Sequence, residues 1–551
     1  MRARNTAQDL QVFAVAGTHT AVLSFDFNAK PQNLLGLAIE RRDLTTGRII
    51  WLEGQKCFRS IVPKPVRGQR YPTQLHPIQS FMWKDFTLVP GRSYTFKITP
   101  VKGRPSQLKY GTPVEISVTA EQEWNGQQGV YFNRGVSGSQ SYSNHFPEGK
   151  ISKMDAATRE RAFEWLSRGL FEGLKGFIER TKKDEFLYGA FYEFHEPRTL
   201  ALLKAARDRS VTVELVVDGK QYGDSNKAAV RKAGIAQLVK MWRTKAKIPH
   251  NKFLIRCSKS GTPVELWTGS TNISEKGIFG QCNTGHALKD RETAGRYLDF
   301  WKKLKTDPER ASLTTEVMRL QADVSADNLA DGSITPFFSP RSSLTMLDTY
   351  ADLVHDAREM ACGMFPFNVD QRFRDAFNTP KDFPRYVIVD KSSNHFAPND
   401  SDLDVTAGAY LKNPIDQWLK EKSAGTLFYG GVDFIHNKLL IVDPLGRSPK
   451  IVVGSANLSK PSTNQNDENM LVLKGPAYLR EADIYLTEFI RLFDHFDFRE
   501  WLNTAPTKFK PFLEEGPRPD GRSWVDKYFD GVESLSYKRK MVFKNMHVPA
   551  R

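Results

Sequence analysis

Cysteine is scarce: Cys57, Cys257, Cys282 and Cys362 are the only four in 551 residues. They are too few and too scattered for a disulfide framework or a zinc site, so neither a metal nor another cofactor is expected. Long apolar runs are missing too. No stretch approaches the roughly 18–20 residues a membrane-crossing helix needs, and no transmembrane segment is expected. Met1-Arg2-Ala3-Arg4 has the charge of a signal peptide's start, but Val12 to Gly17 is too short for its apolar core. The expectation is a cytoplasmic protein, peripheral to a membrane at most. With 40% apolar and 26% charged residues, 30 prolines and 38 glycines, the composition excludes collagen-like, coiled-coil and wholly disordered classes. At roughly 100–200 residues per domain, the length predicts about three or four domains.

Charge is plentiful but uneven. Of the net +16, residues 1–120 hold 17 Lys/Arg against 7 Asp/Glu, and residues 501–551 hold 10 against 6. The two ends thus carry +10 and +4, which leaves about +2 for the 380 residues between them. Basic ends on a balanced middle predict docking on phosphate-rich material, either an anionic membrane surface or nucleic acid. A solubilising role for the same charges is the plain alternative.

The pattern of residues divides the chain. Over 1–120, Leu23/Phe25/Phe27, Tyr94/Phe96/Ile98 and Val114/Ile116/Val118 alternate with polar residues, the period of half-buried antiparallel strands. With turns at Pro90-Gly91 and Lys102 to Pro105, this predicts a β-sandwich that resembles fibronectin type III modules. Residues 121–154, rich in Gln, Gly, Ser and Asn, read as a linker; within it Phe132-Asn133-Arg134-Gly135-Val136-Ser137-Gly138-Ser139-Gln140 is unusually specific. From there helix and strand alternate, with Ala162 to Arg180 helical and Val211 to Asp218 a buried strand, as in an α/β fold around a mostly parallel sheet. The order recurs: Tyr386 to Asp390 matches Val213 to Asp218. Two α/β halves are therefore expected, at 155–314 and 336–500, with a connector at 315–335 and a basic tail, strap or partly ordered, at 501–551.

Each half ends in the same signal. The first contains His250-Asn251-Lys252 and then Gly269-Ser270-Thr271-Asn272; the second contains His436-Asn437-Lys438 and then Gly454-Ser455-Ala456-Asn457. Of the 11 histidines only these two stand in His-x-Lys, and the Asn follows 22 or 21 residues later. On a strand, residues two apart share a face, so imidazole and ammonium project together. Two such sets facing each other would surround one anion with two Lys cations, two Asn amides and the Ser270 and Ser455 hydroxyls, with an imidazole on either side. That arrangement suits in-line displacement at a phosphodiester, one His attacking phosphorus and the other protonating the leaving oxygen.

The paired motifs resemble those of the phospholipase D superfamily, His-x-Lys-(x)4-Asp followed by Gly-Ser-x-Asn, over roughly residues 155–500. The resemblance implies metal-independent hydrolysis through a covalent phosphohistidine, with both motifs in one site, so that a monomer suffices. It implies His250 as nucleophile and His436 as the acid that releases the alcohol and then activates water. The family's Asp is present as Asp443 in the second motif, while Cys257 stands at that position in the first. An acid commonly follows Gly-Ser-x-Asn in the family and orients the opposite histidine; 11 residues past each Asn stand Glu468 and Asn283. Glu468 is thus expected behind His250 and the neutral Asn283 behind His436, with Asn283 also within reach of substrate. The missing Asp resembles tyrosyl-DNA phosphodiesterases. The expected substrate is a phospholipid headgroup diester; a nuclease or DNA-end phosphodiesterase, a headgroup-transferring synthase and a non-catalytic binding protein are the alternatives. His195, His286, Asp218, Asp390 and Arg134 are weaker candidates, each expected to be structural or loop-ordering.

Overall fold

The computed structural model describes the chain except residues 67–68, 136–141, 143–144, 148–150, 391–395, 400, 409–434, 505–510 and 551, and the side chains of 501–504. The Val136 to Gln140 part of the singled-out linker motif therefore lies outside the described residues.

The N-terminal residues form two antiparallel sheets around one core. One contains Arg2–Ala7, Leu10–Ala16, Ala21–Phe27 and Met82–Asp85; the other contains Gly36–Asp43, Ile49–Trp51, Ser93–Arg104, Gln107–Tyr110 and Val114–Thr119. Val114–Thr119 keeps the expected alternation, with Val114, Ile116 and Val118 buried and Glu115 and Ser117 exposed. Ala21–Phe27 does not, because it is buried on both faces. Its outer face is covered by the helix Leu535–Lys544, whose Lys540 and Lys544 ammonium groups lie 2.6 and 2.7 Å from the Asp26 carboxylate. The C-terminal residues are thus a strap. Trp524 and Tyr528 enter the sandwich core, and Trp524 donates its indole N–H to the Leu34 carbonyl at 2.9 Å.

Two seven-stranded sheets follow, and they have the same strand order. The first runs Gln128–Phe132, Thr284–Leu288, Pro263–Gly269, Lys252–Cys257, Phe186–Phe191, Thr212–Asp218, Val239–Arg243. The second runs Ser333–Ser339, Glu468–Lys474, Lys450–Gly454, Leu439–Val442, Ala361–Phe365, Arg385–Val389, Leu403–Ala407. In each, only the last three strands are parallel, which corrects the expectation of a mostly parallel sheet. The motif strands are joined to their neighbours by turns such as 258–262, too short for a crossover, so they must run antiparallel. Three boundaries also differ from expectation. Part of the 121–154 linker is the edge strand Gln128–Phe132, which Thr284–Leu288 pairs with. The connector is mostly ordered, with a helix over Arg310–Leu320. The helix predicted over Ala162 to Arg180 is two, Ala156–Ser167 and Leu170–Glu179, broken where Arg168 and Gly169 turn to φ 48° and 94°.

A long helix, Leu479–Thr504, packs against both seven-stranded sheets and the sandwich. Its Asp483 accepts from Arg2 at 2.7 Å, and its fully buried Glu488 carboxylate lies between Arg168, at 2.5 Å, and Arg491, at 2.8 Å. Burial works to raise the Glu488 carboxyl, but the two guanidinium charges together outweigh it and hold the group far below the usual carboxylate range. Arg2, Lys540 and Lys544, three of the cations of the chain ends, are therefore spent on buried carboxylates. No described helix is long and apolar enough to cross a membrane.

Candidate active site

The two motif strands are the central strands of their sheets, and both enter at the same junction. Outside the regular ladders, Pro249 bridges to Asp467 and Cys282 bridges to Ile435. The residues leading into each motif histidine thus pair with residues leading into the last strand of the opposite sheet. The His250 N–H, for instance, donates to the Asp467 carbonyl at 2.9 Å. This crossed pairing puts an orienting group behind each ring. His250 Nδ1 lies 2.9 Å from Glu468 Oε2, and His436 Nδ1 lies 2.8 Å from Asn283 Oδ1. The imidazole centroids are 6.4 Å apart with planes at 70°, and both residues are buried.

Each motif lysine folds back on its own histidine: Lys252 Nζ and Lys438 Nζ each donate to the carbonyl two residues earlier at 2.5 Å. Two buried ammonium groups beside two buried imidazoles make a site that disfavours positive charge. Burial pushes Lys252 down to about 7, and Lys438 falls well below its ordinary value through burial and then the Lys252 charge. Both imidazoles are lowered well below 6.5, by burial first and by the two lysines next. Burial also raises the Glu468 carboxyl to about 8. An anion placed among these groups would reverse most of those shifts, which is the electrostatic signature of a site built to be filled by negative charge.

Ser270 and Ser455, expected to hold substrate, are fully buried and occupied elsewhere. Ser455 Oγ donates to Glu468 Oε2 at 2.7 Å, and Ser270 Oγ lies 2.8 Å from both Asn283 Oδ1 and Asn437 Oδ1. They brace the groups that orient the histidines. Asn283 is braced further by donating to the Gly277 carbonyl at 2.7 Å, so its oxygen faces His436 and is not turned toward substrate. Asp443 is not at the site. It lies beyond the far end of Leu439–Val442, where its carboxylate accepts from the Arg358 and Glu359 amides and pairs with Lys450 at 2.8 Å. At the equivalent position in the first sheet the buried Cys257 fills space instead.

The Asn272 amide donates to Glu193 at 2.6 Å, while the amide oxygens of Asn272 and Asn457 are buried with no partner among the described residues. Glu193 was not foreseen. It follows the strand Phe186–Phe191, half-buried, and the Tyr222 phenol also hydrogen-bonds to it. Tyr192 packs edge-on against His250 at 5.0 Å and lies 5.3 Å from Lys252 Nζ. Also unforeseen are the middle residues of the motifs. Asn251 Oδ1 accepts from Asn469 Nδ2 at 2.8 Å and Asn437 Oδ1 from the Thr284 hydroxyl at 2.8 Å, ties that lock one sheet to the other beneath the histidines.

The weaker candidates are placed mostly as expected for structural groups. His286 is buried between Tyr485 and Gln128, and burial lowers it to about 3. Asp218 accepts from the Lys220 and Tyr222 amides, Asp390 from the Ile435 amide, and Arg134 stacks 3.8 Å from the Trp165 ring. His195 stacks on Tyr222 at 6.4 Å, at the edge of the Glu193 wall.

Residues 174–304 and 385–493 match the family described as "Cardiolipin synthase, PLD-like domain". Among solved structures, the chain is 12% identical to polyphosphate kinase from Porphyromonas gingivalis, with a TM-score of 0.39, over 60% of this chain and 48% of that one. It thus spans about half the length of that protein. It is 14% identical to phosphatidylserine synthase from Haemophilus influenzae Rd KW20, at a TM-score of 0.39, covering 69% of this chain and 92% of that one. With Nuc from Salmonella typhimurium, a phospholipase D family member, it shares 22% identity at a TM-score of 0.21, over 25% of this chain and 87% of the other. No curated protein matches the chain.

Proposed function

The chain belongs to the phospholipase D superfamily, and from that premise we propose that it is a metal-independent phosphodiesterase that hydrolyses phospholipid headgroup diesters through a phosphohistidine. The observation that carries the reading is the pair of imidazoles 6.4 Å apart, each held from behind through Nδ1, with two buried lysines beside them. That separation of the rings is of the size of one tetrahedral phosphate group. We take the two seven-stranded sheets as the two halves of one catalytic body, with the sandwich and strap as its support.

In this reading Glu468 accepts from His250 Nδ1–H and leaves the Nε2 lone pair free. That pair attacks phosphorus while the P–O bond to the alcohol breaks. The departing oxygen takes its proton from His436 Nε2, whose Nδ1–H is donated to Asn283. Lys252, Lys438 and the amides of Asn272 and Asn457 bear the charge on the non-bridging oxygens. His436, now neutral, takes a proton from water; the hydroxide oxygen displaces His250 from phosphorus, and the P–N bond breaks.

The lipid preference is supported by an asymmetry at the mouth. Phe191 pairs with Lys252, and Met364 pairs with Leu439, which sets Phe365 opposite Lys438. Two residues further on stand Glu193 in one sheet and Phe367, 54% exposed, in the other. A diester with one donor-bearing and one apolar substituent suits such walls. A polynucleotide would bring neighbouring phosphates, and the Glu193 carboxylate would oppose their charge. The test is an activity panel of phospholipids, single- and double-stranded nucleic acids and simple diesters, with chelator present and His250→Ala as control. Headgroup alcohol released by the wild type and lost in the variant is the expected outcome; cleavage of nucleic acid alone would overturn the lipid reading.

A further inference from the structure

At the far end of the second motif strand, a cleft of about 490 Å³ opens where three parts of the chain meet. The sandwich supplies Arg4, the turn leading into Ala361–Phe365 supplies Arg358, the turn after Leu439–Val442 supplies Arg447, the strand that follows it begins with Lys450, and the C-terminal strap supplies His547. Asp443 and Glu359 also line it. Asp443 stands five positions after Lys438, about 16 Å of extended chain at roughly 3.3 Å per residue, so this cleft is remote from the paired histidines.

Four cations, Arg4, Arg358, Arg447 and Lys450, face two carboxylates, Asp443 and Glu359, so the lining keeps a positive excess. Asp443 is already satisfied by Lys450 and by backbone amides. The guanidinium groups of Arg4, Arg358 and Arg447 have no carboxylate partner among the described residues; Arg4 has only the Met546 carbonyl, at 3.1 Å. This contrasts with the neighbouring Arg2, which is buried and paired with Asp483. That the cations converge is also felt at His547. Burial lowers its imidazole below the ordinary value, and the next largest contributions come from Arg447, Arg2 and Arg4. Folding has thus gathered three arginines without an ion-pair partner among the described residues, one from the N-terminal sandwich and two from the second α/β half, around one concave space. The guanidinium fork matches phosphate oxygens in pairs, and several forks around one cleft match an anion with more than one charge.

We propose that this cleft is a second anion site, distinct from the catalytic one, which binds a phosphate group carrying more than one negative charge, as a phosphomonoester or pyrophosphate does. Such a ligand would clamp the strap to the sandwich and to the second sheet. The same chemistry is offered by a free phosphate compound and by a lipid whose headgroup is a bare phosphate.

Titration of the full chain with pyrophosphate, carried out in a Lys438→Ala background that weakens the catalytic anion site, separates the two sites. One pyrophosphate per chain is expected, with affinity lowered about tenfold or more by Arg358→Gln with Arg447→Gln. Arg48→Gln with Arg104→Gln, which removes equal charge from exposed positions of the sandwich, should leave it within about twofold. Sedimentation with phosphatidylcholine vesicles, with and without phosphatidic acid, distinguishes the sources. Capture by phosphatidic acid alone, lost in the Arg358/Arg447 variant, assigns a lipid-borne phosphate; pyrophosphate binding without vesicle capture assigns a soluble one. No binding of either probe, or equal weakening by both arginine pairs, would overturn the proposal. Because Lys438→Ala removes a catalytic group, binding here is read independently of any turnover.

Discussion

Replacing Glu468 by Gln isolates the charge behind His250. The amide retains an oxygen that accepts from Nδ1, as Asn283 does for His436, and it keeps an acceptor for the Ser455 hydroxyl at the 2.7 Å position. The imidazole stays oriented; what is lost is the carboxylate charge 2.9 Å from Nδ1 as the ring becomes cationic on attacking phosphorus. Two unit charges about 4 Å apart at an effective dielectric near 20 interact by about 4 kcal/mol. With part of that lost to relaxation, kcat should fall by about two to three orders of magnitude. KM should hold, since Glu468 touches the histidine and not the substrate. The pH profile carries a second reading. Burial raises Glu468 to about 8, and attack requires it as the anion, so on an aryl diester whose leaving group needs no proton from His436 the wild-type kcat/KM should rise with pH through that region relative to Glu468→Gln, in which only the loss of charge on Lys252 remains. Steady-state rates on bis(p-nitrophenyl) phosphate from pH 5 to 10 would measure both effects. A variant within about fivefold of wild type, or one that keeps the alkaline rise, would refute the role given to the carboxylate.

Three further outcomes follow from the same geometry. Because burial holds Lys252, Lys438 and both imidazoles below their ordinary values, helped at all but Lys252 by neighbouring cations, an anion entering the site raises all four, and vanadate or phosphate binding near neutral pH should take up about one proton; calorimetry in buffers of different ionisation enthalpy measures it, and proton release would contradict the scheme. Glu193→Gln should lower kcat/KM for lipids with a hydroxyl or ammonium headgroup, relative to bis(p-nitrophenyl) phosphate, by about tenfold; equal losses on both would mean that Glu193 acts only by holding Asn272. Glu488→Gln leaves Arg168 and Arg491 buried against a neutral amide and should destabilise the fold by about 3 kcal/mol or more at pH 7, read as a lower urea midpoint. Since the Glu488 carboxyl is held below its unfolded value, its contribution is present at neutral pH and fades as pH falls, so wild type and variant should converge in acid.

The two motif sets were legible because they are local: His-x-Lys on a strand start and Gly-Ser-x-Asn at a strand end fit in short windows, and their recurrence exposes the second sheet. The partners at Glu468 and Asn283 were reachable by counting. Glu193, Asn469 and Thr284 were not, because their part in the site depends on which strand enters beside which, and the bridges Pro249–Asp467 and Cys282–Ile435 join segments well over 100 residues apart. Local pattern misled in two places for one reason: partners that stand outside the local window. Ala21–Phe27 reads as half-buried, and its Ser24 and Asp26 do face outward from the sandwich core, but a helix more than 500 residues downstream covers that face and supplies the lysines Asp26 needs. The serines of Gly-Ser-x-Asn carry hydroxyls that can bind substrate, yet the buried carboxylate of Glu468 and amide of Asn283 need those donors first.

The two sheets differ most where the reaction needs them to. One histidine is backed by a carboxylate and the other by an amide, so the cationic form of His250 is stabilised by a full charge and that of His436 by a dipole. A nucleophile must carry positive charge through the phosphohistidine stage, while an acid must give its proton up, and a carboxylate behind both would slow the second task. Exchanging the two groups, Glu468→Gln with Asn283→Asp, should therefore not restore activity lost in the single variant if the roles are fixed by these partners and the substrate is held in one direction by the walls at Glu193 and Phe367. Recovery to within about tenfold of wild type would mean that the site accepts its diester in either orientation, and that the walls do not direct it.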